Sequence, residues 1–183
     1  MENMIKACVF DIDGTLIDHE GGSVMPESTK KSLHALREKG IKLFVATGRI
    51  PAMLGFLEKY FQFDGFVSLN GQLVVLRDGT VLHRMAHDPG DIRQLVQVVE
   101  KKKFPCLIIE ESESFCVTGD PVIAEHFSWE DLPVPGVYDI SRLDKHPVLQ
   151  FLLYGGKNLP QNPSMPNRDP PRAGGNSHDK NPN

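Results

Sequence analysis

The chain has 183 residues, enough for about one domain, or one domain carrying an insertion. Its 20 Lys and Arg against 24 Asp and Glu leave a formal charge of −4, which gives no cationic surplus for a nucleic-acid backbone or an anionic membrane. A content of 40% hydrophobic and 24% charged residues is ordinary for a soluble protein, and no apolar run approaches the roughly 18 residues of a membrane span. The first apolar run, residues 7–12, is short and contains Asp11, unlike a secretory signal, so the cytoplasm is the expected compartment. Cys8, Cys106 and Cys116 are odd in number and lack C-x-x-C spacing, which reads as core thiols rather than a disulfide framework or a zinc site.

Residues 5–12 have the length and apolarity of a buried parallel strand that stops at Gly14. After a loop containing Gly21, Gly22 and Ser23, either Ser28 or Thr29 is placed to cap a helix. That helix presents Leu33 and Leu36 and ends at Gly40, with Arg37 and Lys39 in its last turn. A second strand follows over 41–46, then Thr47-Gly48-Arg49 and a helix whose Ile50, Met53, Leu54 and Leu57 have i, i+3, i+4, i+7 spacing. Residues 66–69 read as a third strand, and the Asp78-Gly79 turn joins 73–76 to 80–84 as a hairpin. Strands alternating with helices imply an α/β fold, a doubly wound parallel sheet with its ligand at the carboxyl ends of the strands.

From about Asp88 the pattern changes to that of an inserted α+β lid. A helix with Ile92, Leu95, Val96 and Val99 on one face precedes strands at 106–109 and 114–118, and 148–154 is the last apolar strand. Gly119-Asp120-Pro121 reads as a turn, Lys101-Lys102-Lys103 as the cationic end of the lid helix, and Phe127 and Trp129 as packed within the lid. The seven histidines have no metal-site spacing. From 157 to 183 there are six Pro and six Asn and only Leu159, Met165 and Ala173 as apolar side chains, a composition that predicts disorder.

Asp11-Ile12-Asp13-Gly14 follows the first strand directly, and residues two apart in a strand share a face, so two carboxylates emerge together. Like charges so close raise each other's proton affinity unless a cation neutralises them or one takes up a proton. Both outcomes serve catalysis: one carboxylate can attack phosphorus while the other shuttles a proton, with Mg²⁺ held by oxygen ligands. An Asp-x-Asp-Gly turn that merely closes a strand has the same spacing.

Asp11-x-Asp13-Gly14-Thr15-Leu16, Ala46-Thr47-Gly48-Arg49 and Leu69-Asn70-Gly71, each after an apolar strand, together resemble the haloacid dehalogenase superfamily, specifically its Cof-type, class IIB phosphatases. The resemblance implies a Rossmannoid core over 1–84 and a class IIB cap over 85–156, with 157–183 as a disordered or aberrant tail. It implies Asp11 as the nucleophile that forms an aspartyl-phosphate, Asp13 as general acid/base, and Thr47 as a hydroxyl donor to the phosphoryl oxygens. Mg²⁺ would be held by Asp11 and by Asp13 through its backbone carbonyl. Gly14, Thr15, Gly48, Arg49 and Asn70 become candidate substrate contacts, although Arg49 equally suits a salt bridge and Asn70 a left-handed turn. An acid at position 13 favours phosphatase or phosphomutase chemistry over dehalogenation. The family also calls for a downstream lysine and a later acidic motif. Neither Lys157, Lys180 nor Gly119-Asp120 supplies them in context, so the sequence reads as truncated within the cap. The expected function is a Mg²⁺-dependent phosphatase of small phosphorylated metabolites such as sugar phosphates. The alternatives are a non-catalytic or partner-dependent binding module and a phosphomutase.

Overall fold

A computed structural model of the chain describes residues 5–18 and 24–155. The expected tail over 157–183, and the loop residues Gly21, Gly22 and Ser23, lie outside the described residues. The first sheet contains β1 (Ala7–Phe10), β2 (Lys42–Ala46), β3 (Gly65–Ser68), β4 (Leu73–Leu76) and β5 (Val81–Arg84), adjacent in that order. β1, β2 and β3 run parallel, and the β4–β5 hairpin extends them antiparallel around the expected Asp78-Gly79 turn. The parallel part is what an α/β, Rossmannoid chain requires: it brings the carboxyl ends of three strands to one edge.

The crossover between β1 and β2 is α1 (Glu27–Glu38). It starts two or three residues earlier than the Ser28 or Thr29 cap predicts, because the Pro26 carbonyl already accepts from the Lys30 N–H at 3.1 Å. No side chain caps this end. At its other end Gly40, at φ +75°, turns the chain out, and its N–H donates to the Arg37 carbonyl. α1 presses Leu33 onto Leu43 and Val45 of β2, with Ile12, Leu16 and Phe63 closing the core.

The helix expected over Ile50–Leu57 is instead two 3-10 turns, Pro51–Met53 and Gly55–Lys59. Pro51 starts the first and Gly55 the second, and each is tied by i→i−3 bonds such as Met53 N–H to Ile50 O at 2.9 Å. The expected apolar positions are nevertheless all buried.

The second sheet has the order β7 (Ser114–Cys116), β6 (Cys106–Ile109), β8 (Gln150–Leu153), all antiparallel. α2 (Pro89–Lys102) is capped by Asp88, whose side chain accepts from the N–H groups of Gly90 and Asp91, and it ends on Lys101 and Lys102 as expected. β6 is buried on both faces. Cys106 and Ile108 pack with Ile92, Val96 and Val99 of α2, while Leu107 and Ile109 face α3 (Pro121–Trp129) and the loops of the first sheet.

α3 is absent from the sequence reading. The Gly119-Asp120-Pro121 expected to be a turn is its start: Asp120 accepts from the Val122 N–H at 2.9 Å, and Pro121 takes the first helical position. Phe127 packs inward as expected, but Trp129 does not, being 70% exposed. The three cysteines are free thiols, and burial pushes the Cys106 thiol up to about 11. Among the described residues no helix is long and apolar enough to cross a membrane.

Candidate active site at the carboxyl ends of the parallel strands

The segment after β1 folds back on itself. The N–H groups of Thr15, Leu16 and Ile17 all converge on the Ile12 carbonyl, at 2.9 to 3.3 Å. Gly14, at φ +79°, supplies the left-handed residue this hook needs. Ile12, Leu16 and Ile17 anchor it in the core, so Asp11 and Asp13, on either side of Ile12, are left at the surface.

The loops after β2 and β3 are bonded to each other. Thr47 N–H donates to Val67 O, Asn70 N–H to Thr47 O, and Leu69 N–H to Arg49 O. Asn70 takes the left-handed conformation, at φ 56°, and so does Leu69. A Cβ at Gly48 would stand 2.9 Å from Asn70 Oδ1, so the absence of a side chain there lets the Asn70 amide lie against the chain at position 48. Thr47 is buried, and its hydroxyl oxygen accepts from the Arg49 N–H at 3.1 Å, which leaves the hydroxyl proton to donate elsewhere.

Asp11, Asp13, Thr47, Gly48 and Arg49 line one cavity of about 350 Å³. Asn70 lines a neighbouring one that shares Asp11, Thr47 and Gly48 with it. Gly14 and Thr15 line neither. The second sheet roofs the first cavity with Leu107 and Leu152, and α3 adds His126 and Glu130. The sequence reading missed these last two because it missed α3; the Asp-Pro pair ahead of Val122, Ile123 and Phe127 is the signal that finds it.

Arg49 joins the two halves. Its guanidinium grips both oxygens of Asp13, Nε at 3.1 Å and Nη2 at 2.9 Å, while Nη1 reaches Glu130 at 2.9 Å. The hydrogen bond to Asp13 first, then the charges of Asp13 and Glu130, hold its pKa above the usual arginine value against the opposing effect of burial. His126 Nδ1 lies 2.7 Å from the Tyr154 hydroxyl, and burial pushes that phenol up to about 12, so it keeps its proton at neutral pH.

The cavity lining sets three carboxylates, Asp11, Asp13 and Glu130, against one guanidinium. Such a surface repels an anion unless a cation is added. The donors around Asp11 and Asp13 are oxygens, which suits Mg²⁺, an ion that accepts one or two carboxylates and keeps several waters. Among the described residues no group of three His, Cys, Asp or Glu side chains is arranged as a metal site.

The family model of haloacid dehalogenase-like hydrolases matches residues 8–160. YkrA of Bacillus subtilis (strain 168) is 29% identical over 150 residues, which is 81% of this chain and 57% of that protein. The HMP-PP phosphatase of Cronobacter sakazakii is 26% identical, covering 81% of this chain and 54% of its own. Among solved structures, a hypothetical protein from Geobacillus kaustophilus HTA426 superposes with a TM-score of 0.70 at 31% identity, over 82% of this chain and 58% of that one. The HAD subclass IIB sugar phosphatase BT4131 does so at 0.64 and 29%, over 80% and 57%. The chain thus spans little more than half the length of the relatives it matches.

Proposed function

The chain belongs to the haloacid dehalogenase-like hydrolases, and from that premise we propose that it is a Mg²⁺-dependent phosphatase of small phosphorylated metabolites. The observation that carries this reading is the meeting of Asp11, Asp13, Thr47 and Arg49 around one cavity at the carboxyl ends of parallel strands. The relatives support it, since one is an HMP-PP phosphatase and another a sugar phosphatase. Residues 1–84 form the phosphoryl-handling core in this reading, and 85–156 the cap.

A carboxylate oxygen of Asp11 attacks phosphorus, the bond from phosphorus to the leaving oxygen breaks, and Asp13 gives that oxygen its proton. Water then attacks the aspartyl-phosphate while Asp13 takes a proton back, releasing inorganic phosphate. Thr47 donates its hydroxyl proton to a phosphoryl oxygen, the hydroxyl oxygen being fixed by the Arg49 N–H. Mg²⁺, held by the Asp11 carboxylate and the Asp13 carbonyl, would neutralise the charge that the carboxylates and phosphoryl oxygens bring together. Arg49 begins clamped to Asp13, and its transfer to the incoming phosphate would release its hold on both Asp13 oxygens as proton transfer begins.

A second reading is phosphate-ester binding without turnover, favoured by the excess of carboxylates over cations at the cavity. Hydrolysis of p-nitrophenyl phosphate, with and without Mg²⁺, separates the two. Mg²⁺-dependent release that disappears in Asp11→Asn supports the phosphatase. Release undiminished by that substitution, or none from folded protein, sinks it.

A further inference from the structure

Beyond the cavity that holds Asp11 and Thr47 lies a second of about 400 Å³, lined by Phe56, Lys59, Trp129 and Asp131 among others. Met53 and Glu130 line both cavities, so the two adjoin at these residues. The Arg49 guanidinium stands 5.5 Å from the Phe56 ring, tying the floor of the outer cavity to the residue that grips Asp13. Trp129 ends α3, and the chain turns immediately beyond it through Asp131, a non-glycine residue at φ 54°. Residues two apart on a helix face nearly opposite sides, so Phe127 enters the core while the Trp129 indole stands 70% exposed on the outer-cavity side.

We propose that the outer cavity is a subsite for the leaving group, and that the preferred substrates are phosphate monoesters whose alcohol carries a flat aromatic ring that stacks on Trp129. The inference rests on the phosphatase reading of the inner cavity and deepens it. An ester anchored by its phosphoryl group at Asp11 and Thr47 extends past Met53 and Glu130 toward the indole. The junction is apolar at Met53 and anionic at Glu130, and the outer cavity sets Glu130 and Asp131 against a lone Lys59. The lining therefore favours a neutral or cationic ring over one bearing a second acid. Among the described residues no protein group donates to the second oxygen of Glu130, so it can accept from an amino or hydroxyl group on the ring.

The protein contains one tryptophan, so its fluorescence reports on this site alone. The test is to titrate the full chain, in Mg²⁺, with benzyl-, 2-phenylethyl- and 3-phenylpropylphosphonate and with propylphosphonate as the aliphatic match. Affinities are read by calorimetry and quenching by fluorescence. We expect at least one aryl phosphonate to quench Trp129 and to bind about tenfold more tightly than propylphosphonate, a preference of the size one aromatic stack supplies. Trp129→Ala should erase that preference, and Trp129→Phe should retain most of it. Equal affinities for all four ligands, or a preference that survives Trp129→Ala, would overturn the subsite while leaving the phosphatase reading in place. If none of the four phosphonates binds folded protein, the anchor is wrong and the subsite falls with it.

Discussion

A methyl group at position 48 would meet Asn70 Oδ1 at 2.9 Å, but Asn70 is an exposed side chain whose amide can swing aside. Gly48→Ala should therefore leave the urea midpoint of unfolding nearly unchanged, within about 0.5 kcal/mol, while lowering phosphatase turnover because Asn70 leaves the cavity wall. A large loss of stability would mean that the two loops are locked more rigidly than their hydrogen bonds indicate. Asp64 works in the opposite sense, for stability rather than chemistry. Burial would raise its pKa, but the Leu43 N–H at 2.9 Å, the Lys42 ammonium at 3.1 Å and the Arg37 charge together bring it below the usual aspartate value. A carboxylate with a lower pKa folded than unfolded stabilises the fold above the unfolded value of about 3.9, and that contribution is lost as the pH falls through the folded value. Asp64→Asn should thus cost about 1 to 2 kcal/mol at pH 7. The difference from the parent protein should shrink below about pH 4 in urea melts across pH, and a pH-independent difference would contradict the assignment.

The elements differ in how openly the chain declares them. β6 matches its expected bounds because four consecutive apolar residues with no competing turn admit one reading. The segment after Arg49 has helical spacing, yet Pro51 and Gly55 divide it into 3-10 turns; side-chain spacing reports which residues are buried, not which backbone hydrogen bonds form. α3 was illegible for a different reason. Its nine residues mix a buried Ile123 and Phe127 with an exposed Trp129, and the only strong marker is the Asp120-Pro121 start. The consequence reached the site: Asp11, Asp13, Thr47 and Arg49 could be read from motifs after strands, whereas His126 and Glu130 depend on a helix that packing, not pattern, defines. Asp120→Ala removes the cap of α3 and should cost about 1 kcal/mol, measured as a lower urea midpoint. An unchanged midpoint would show that α3 is held by Phe127 and Ile123 alone.

At the scale of the molecule, β1 is bonded to β2 on one side, and no other described strand pairs with it. Val9 on this strand is 58% exposed, so an open edge coincides with apolar surface, an arrangement that favours pairing between chains. We expect sedimentation velocity to show association that grows with concentration and is reduced by Val9→Lys. A protein that stays monomeric at every concentration would remove that liability. The outgoing and returning segments between the two sheets run side by side, with His87 N–H donating to Val148 O at 2.9 Å, so the second sheet is tethered at that crossing.

Away from that crossing the candidate active-site cleft is spanned by Arg49, which holds Asp13 on one side and Glu130 on the other with the same guanidinium. Any opening of the cleft parts these charges, so dissolved ions bear on its cost. At about 0.01 M ionic strength the screening length is about 30 Å, and at 1 M about 3 Å, close to the span of these contacts. Salt is therefore expected to weaken this clasp most at its more exposed end, where Arg49 meets Asp13, and less where the same guanidinium meets the more sheltered Glu130.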